Sequence, residues 1–214
     1  MHLESVRLYQ FRCFDELYIE PNRDFNVISG LNGQGKTSIL EAIALLGSLK
    51  SFRHAKNSEL VQFEKSESLV SGTVSNSGVS GRADVKIFSN RKQATFNGKS
   101  CKFLSEYIGR LSIVSFSPSD LDIAKGGPEF RRIWADKFAS VEFPEHIDCV
   151  ARYSKVLENR NKILKSLSLG HISRVTDDFS VWTEELAKLG AQVIHNRINI
   201  VDNSAEKIAR YYSE

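Results

Sequence analysis

The amino-acid sequence predicts a mixed α/β lobe followed by an α-helical arm. Three observations carry that prediction. A short apolar run, a glycine-punctuated loop and an apolar helical pattern follow one another from Phe25 to Leu49. Period-two alternation then dominates from Ser68 to Phe96. After Gly126-Gly127-Pro128 the apolar spacing changes to steps of three and four. The lobe is expected over residues 1–120 and the arm over residues 121–214.

The opening MHLESVRLYQF sets Leu3, Val6 and Leu8 among polar neighbours and reads as a strand; Leu17 to Glu20 repeats that texture. Phe25 to Ser29, FNVIS, reads as a short apolar strand. Ile39, Leu40, Ile43 and Leu46 follow at helical spacing, so the loop between is held by two rigid elements. SLVSGTVS, VSGRADVKIFS and KQATF alternate as antiparallel strands do, and Asn97-Gly98 is a strong hairpin signal. Leu111 to Ser117, LSIVSFS, reads as a further apolar strand that Pro118 ends.

Three helices are expected beyond Gly127. Pro128 suits the first turn of one running to about Val141. A second runs from about Pro144 to Leu169, with Val150, Tyr153, Leu157, Leu164 and Leu167 on one stripe and Gly170 as its stop. A third runs from about Val175 to the end. Its stripe is Trp182, Leu186, Leu189 and Val193, then, after a one-residue slip, Ile194, Ile198, Val201, Ala205 and Ile208. Such narrow seams suit an antiparallel hairpin of the last two helices, either projecting as an arm or packed on the body.

With 41% apolar and 26% charged residues, the chain has ample material for a core, which excludes disorder as its main state. The 29 basic and 26 acidic residues leave +3, too mild to imply nucleic acid or membrane by itself. Cys13, Cys101 and Cys149 lie far apart and form no C-x-x-C pair, so a disulfide framework or thiolate zinc site is not expected. No targeting or spanning segment is evident. The most apolar stretch, Ser38 to Leu49, is too short to span and contains Glu41. A cytoplasmic protein is expected.

Residues 30–37 read GLNGQGKT, which matches G-x-x-x-x-G-K-S/T, the P-loop. Gly30, Gly33 and Gly35 allow backbone angles that side chains forbid. Leu31, Asn32 and Gln34 then contribute inward N–H groups to an anion nest, and the positive end of the following helix adds to it. The Lys36 ammonium can reach the β- and γ-phosphates, and the Thr37 hydroxyl can ligate Mg²⁺. Chance gives such a string in roughly one chain in a hundred of this length. The bland alternative, a glycine turn with an incidental lysine, lacks the flanking strand and helix seen here. Binding of ATP with Mg²⁺ is the reading.

A complete hydrolase site needs an acidic residue after a second apolar strand. Ile198-Asn199-Ile200-Val201-Asp202 is interrupted by Asn199 and lies in a helical pattern, and LSIVSFS ends in Ser-Pro. No L-S-G-G-Q motif occurs. The residues on view bind a nucleotide without completing a site that cleaves it.

Four stretches resemble the RecF family, a branch of the ABC-type, SMC-like ATPases. They are LESVRLYQFRCFDEL, FNVISGLNGQGKTSILEAIALL, Ser51-Phe52-Arg53 and SFSPSDLDIAKGGPEFRRIWAD. The last is similar to the family's F-x-P-E-D-L…G-x-P-x-x-R-R…D stretch, except that Ser119 replaces a usual Glu. The resemblance implies the first lobe of an ABC-ATPase-like head, mixed sheet beside antiparallel sheet, followed by a helical arm. The family's Walker B strand and signature motif belong to a C-terminal portion with no counterpart here, so a truncated arm and weak or no turnover are expected. That portion would complete the lobe and supply the signature motif across an ATP-dependent homodimer.

The resemblance puts residues 30–37 on the ATP phosphates and brings Arg12 toward the nucleotide; the alternative for Arg12 is an exposed strand-end charge. Arg53 and Lys56 are candidate phosphate or DNA contacts, or a solvated loop. Arg131 and Arg132 are candidate DNA contacts, or a salt-bridged helix face. His2, His146, His171 and His195 show no ligand spacing and read as surface residues. The implied function is ATP-dependent binding of single-stranded and gapped DNA, working with RecO and RecR to help RecA load in recombinational repair and the SOS response. A P-loop nucleotide kinase, another SMC-like ATPase fragment, or a binding module without turnover are the alternatives. The antiparallel strands argue against a kinase.

Overall fold

Val6 and Leu8 fall on the buried face of a ten-residue strand, β1 (His2–Phe11), while Arg7 and Tyr9 face water. The computed structural model describes residues 1–76, 79–101, 104–108, 110–171 and 177–213. They divide into two units, Met1–Pro118 and Ser119–Glu214.

In the first unit β1 pairs with β2 (Phe14–Ile19) and with β3 (Glu67–Asn76). The sheet continues through β4 (Val79–Phe88), β5 (Lys92–Phe96) and β6 (Lys99–Ser100) in the order β2-β1-β3-β4-β5-β6. Every neighbouring pair is antiparallel. Asn97 and Gly98 close the β5–β6 hairpin with φ of 50° and 75°, the left-handed pair that a two-residue turn matching strand twist requires.

The apolar spacing after the glycine loop forms α1 (Lys36–Ser48), which buries Ala42, Leu45 and Leu46. Leu46 seats over Gly72 of β3, where a Cβ would lie 2.6 Å from its Cδ1. Each buried leucine contributes about 1.5–3 kcal/mol. Lys92 Nζ donates to the Leu49 carbonyl at 2.8 Å, placing a cation at the negative end of α1. Short helices α2 (Asn57–Leu60) and α3 (Leu104–Tyr107) follow on connecting segments.

Two expected strands do not form. Residues 25–29 and 111–117 carry no ladder among the described residues, and Phe25, Val27, Val114 and Phe116 are exposed, Val114 to 92%. The sheet is accordingly antiparallel and not mixed among the described residues. Apolarity equips a run for a strand, but a strand also needs a partner backbone to accept and donate its hydrogen bonds.

In the second unit, α4 (Asp122–Lys125) precedes α5 (Pro128–Glu142), whose Pro128 fills the first helical turn. α6 (His146–Ser168) ends before Gly170, at φ 71°. α7 (Asp177–Tyr212) runs antiparallel to α6, with Arg152 on Glu185 at 2.9 Å and Arg160 Nε on Thr183 at 3.1 Å. The expected start of this last helix near 175 lies outside the described residues. No described helix is long and apolar enough to cross a membrane.

The predicted slip in the α7 seam does not occur. The covered stripe continues from Val193 through Asn196 to Ile200, all buried, and leaves Ile194, Ile198, Val201 and Ile208 exposed. Asn196 holds a seam position because it has a buried partner: its Nδ2 lies 3.0 Å from His146 Nδ1. His146 is therefore a core residue and not a surface one, at 0% exposure, while His171 and His195 are exposed. With Nδ1 accepting from Asn196, Nε2 carries the proton that His146 donates to Asp136 Oδ1 at 3.0 Å. Arg197 grips the same carboxylate with Nε at 2.7 Å and Nη2 at 2.8 Å. One aspartate of α5 thus ties α6 and α7. Burial opposes its ionisation, but the hydrogen bonds from Arg197 and His146 and the charge of Arg197 overcome that and hold its pKa at about 2.

Candidate phosphate-binding site

The loop that precedes α1 is built on three glycines in right-half φ space: Gly30 at 143°, Gly33 at 83° and Gly35 at 83°. Gly35 is also the residue immediately before the helix, so the first N–H groups of α1 open toward the loop. Lys36 opens the helix, and its Nζ donates to the carbonyls of Gly30 at 2.7 Å and Leu31 at 2.6 Å. The ammonium is thereby held across the loop mouth. Thr37, the next residue, is exposed.

Gly35 has a second duty. A Cβ there would lie 2.7 Å from Cys13 Sγ and 2.8 Å from Phe14 Cε2. The β1–β2 turn therefore packs directly on the loop, and it carries Arg12, which has φ 55°. Gly35→Ala combines a left-handed angle with that overlap. It should cost about 1–3 kcal/mol of stability and weaken nucleotide binding by about tenfold or more, read by thermal melting and a fluorescent-nucleotide titration.

Arg12 turns inward to Glu41. Its Nε donates to Oε2 at 2.9 Å, its Nη2 to Oε1 at 2.8 Å, and its Nη1 to the Glu59 carbonyl at 2.8 Å. It is not a free strand-end charge. Glu41 is 0% exposed. The hydroxyl of buried Ser51 donates to the same carboxylate, and Arg53 Nη1 stands 3.9 Å from it. The Ser51 oxygen also accepts the Arg53 N–H at 3.0 Å, which shapes the turn after α1.

Arg12, Gly33, Gly35, Lys36, Thr37 and Arg53 line one cleft of about 660 Å³, with Glu41 and Ser51 buried behind it. That volume suits a nucleotide-sized ligand. The donor set fits a polyphosphate: backbone N–H groups at a helix start, an ammonium and two guanidinium groups. The Thr37 hydroxyl fits a magnesium ion carried by that polyphosphate. Nothing lies within 4 Å of a Cβ built at Gly30 or Gly33, so backbone there stays open to approach.

Of the other sequence candidates, Lys56 is exposed at the start of α2, where its N–H donates to the Glu59 carboxylate at 3.1 Å. Arg131 and Arg132 are exposed on α5 in the second unit. Arg131 donates to the carbonyls of Ile123 at 3.3 Å and Gly126 at 3.2 Å, closing the end of α4. Sequence reasoning missed Glu41 and Ser51 as members of the site. The available signal was Glu41 itself, the one acid in the apolar stretch from Ser38 to Leu49.

The model of the RecF/RecN/SMC N terminal domain family matches residues 2–121. The DNA replication and repair protein RecF of Geotalea uraniireducens is 34% identical over 214 residues, all of this chain and 57% of its own length. RecF of Clostridium botulinum is 36% identical over 204 residues, 94% of this chain and 55% of its own. A solved structure of the recombination mediator protein RecF-ATPrS in the RecFOR pathway superposes with a TM-score of 0.85 at 33% identity, covering 94% of this chain and 54% of that one. The RecF-ATP structure gives the same values, TM-score 0.85 and 33% identity. The chain spans a little over half the length of the curated relatives it matches.

Proposed function

Because the chain belongs to the RecF/RecN/SMC N-terminal domain family, we propose that it is the phosphate-binding first part of an ATP-dependent DNA replication and repair protein of RecF type. The observation that carries this reading is the loop of residues 30–37, with Lys36 Nζ held across its mouth beside Arg12. Residues 30–37 and Arg12 hold the ATP phosphates, and Thr37 holds the Mg²⁺ that accompanies them. Bound Mg²⁺ neutralises phosphate charge. The ABC-like head, with α5 to α7 as its helical arm, gains strands at residues 25–29 and 111–117 from the remainder of a full-length protein. Their uncovered apolar side chains support that assignment.

The protein in this reading binds single-stranded and gapped DNA in the cytoplasm. It closes as an ATP-dependent homodimer and works with RecR and RecO to help RecA load during recombinational repair and the SOS response. Arg53 and Lys56, with Arg131 and Arg132, contact the DNA backbone, so affinity falls as salt rises. The likeness to a solved recombination mediator of the RecFOR pathway supports these partners. The catalytic carboxylate belongs to the portion beyond this chain's match, so the chain binds ATP and turns it over negligibly.

The test is a titration of the 214-residue chain with a fluorescent ATP analogue and Mg²⁺, alongside steady-state phosphate release. Saturable binding with no release above buffer is expected. Absence of binding, or sustained multiple turnover by the chain alone, overturns the reading.

A further inference from the structure

From the buried cluster behind the phosphate loop we infer that Glu41 is a positioning residue for nucleotide binding: it fixes the Arg12 guanidinium over the cleft and registers the 51–55 turn to the same helix. The inference rests on the cleft's being a nucleotide site and names a part of that site beyond the loop.

Arg12 lies on a turn in left-handed conformation, at the end of a long and freely rotating side chain. Three contacts remove that freedom. The Glu41 carboxylate takes Nε and Nη2 in a fork, at 2.9 and 2.8 Å, and the Glu59 carbonyl takes Nη1 at 2.8 Å. A guanidinium has five N–H groups, so two stay free, one on each terminal nitrogen. Those two are the donors a phosphate oxygen would meet. Lysine in place of Arg12 would keep the charge and lose the fork.

Glu41 lies four residues after Thr37 on α1, one turn along the helix that starts at Lys36. The groups that would touch phosphate and the group that orients Arg12 therefore share one rigid element. Ser51 and Arg53 converge on the same carboxylate from the far end of that helix. Arg53 is held more loosely, at 3.9 Å and half exposed, so it remains free to turn into the cleft.

Stability alone explains Glu41 poorly. A carboxylate at 0% exposure carries a large desolvation cost, and apolar side chains of similar volume usually serve a core as well as a buried ion pair does. The rest of that helical face, Ala42, Leu45 and Leu46, is apolar. The charge is also counterproductive for simple attraction of an anion, since it offsets Arg12. Orientation remains as its contribution.

The test is a double-mutant cycle on the affinity of the full chain for a fluorescent ATP analogue with Mg²⁺. It compares wild type, Arg12→Lys, Glu41→Gln and the double variant, with Ser51→Ala and Lys36→Ala alongside. Circular dichroism establishes that each variant is folded. Arg12→Lys and Glu41→Gln should each weaken binding about tenfold, and the double variant should be no weaker than the worse single one, because both remove one orienting contact. Ser51→Ala should weaken it about twofold to threefold. Affinities of folded Glu41→Gln within twofold of wild type, or losses that multiply in the double variant, overturn the inference. Should Glu41→Gln fail to fold, wild-type affinity in Arg12→Lys overturns it and a tenfold loss there with a measurable Ser51→Ala loss upholds it. Lys36→Ala separates the two levels: a wild-type chain that binds no better than Lys36→Ala defeats the nucleotide reading itself, whereas loss confined to Lys36→Ala defeats only the role of Glu41.

Discussion

Lys36→Ala should abolish tight nucleotide binding while leaving the first unit folded. The Lys36 side chain is only half-buried. Its Nζ contacts are the carbonyls of Gly30 and Leu31, both in an exposed loop, so their loss costs the fold little. For a bound polyphosphate the position matters more. The ammonium stands at the mouth of the loop, at the start of α1, where the helix already presents positive potential. Removing a cation that makes two charge-assisted hydrogen bonds to phosphate costs about 3–4 kcal/mol, or about 100-fold to 1000-fold in affinity. A titration with a fluorescent ATP analogue reads this directly, and a melting curve matching wild type separates lost binding from lost folding. Affinity retained within tenfold would remove the loop from its assigned role.

Asp136→Ala should unfold or severely loosen the helical unit. The carboxylate accepts two hydrogen bonds from Arg197 and one from fully buried His146, so a single side chain of α5 holds α6 and α7. Its removal leaves a half-buried guanidinium and a buried imidazole N–H without an acceptor. Breaking a buried pair on one side costs about 3–5 kcal/mol, a large share of the 5–15 kcal/mol typical of a domain. Circular dichroism during urea or thermal unfolding measures it. Acid offers an independent check. The folded-state pKa of about 2 lies below the ordinary 3.8, so the stabilising contribution is full above pH 5 or so. It is lost as pH falls from about 4 through 2, a change of about 2 kcal/mol. Unfolding curves of wild type should move toward those of Asp136→Ala over that interval and no higher.

Much of this fold is legible in the amino-acid sequence. Alternation gave β1 and the antiparallel strands, because period two has only one structural meaning when one face is buried. Asn97-Gly98 gave the last hairpin through its backbone angles. The glycines and lysine of residues 30–37 gave the loop, since few geometries tolerate that pattern. Three things were hidden. Residues 25–29 and 111–117 have strand composition, yet pairing depends on which other backbone stands beside them, and composition carries no information on that. The α7 seam is obscured at Asn196, because a polar residue in a buried stripe looks like an interruption until its partner His146, fifty residues away, is known. Glu41 was visible only as an oddity in an apolar run; its meaning came from Arg12 and Ser51, which converge on it through the fold.

The two ladderless runs also govern how this polypeptide behaves in a tube. FNVIS and LSIVSFS contain neither charge nor proline, and side chains such as Val114 and Phe116 point into water. Stretches of that kind dock readily onto copies of themselves. Self-association, more than unfolding, will then set the concentration at which the isolated chain can be kept, and a modest net charge of +3 offers little colloidal repulsion to oppose it.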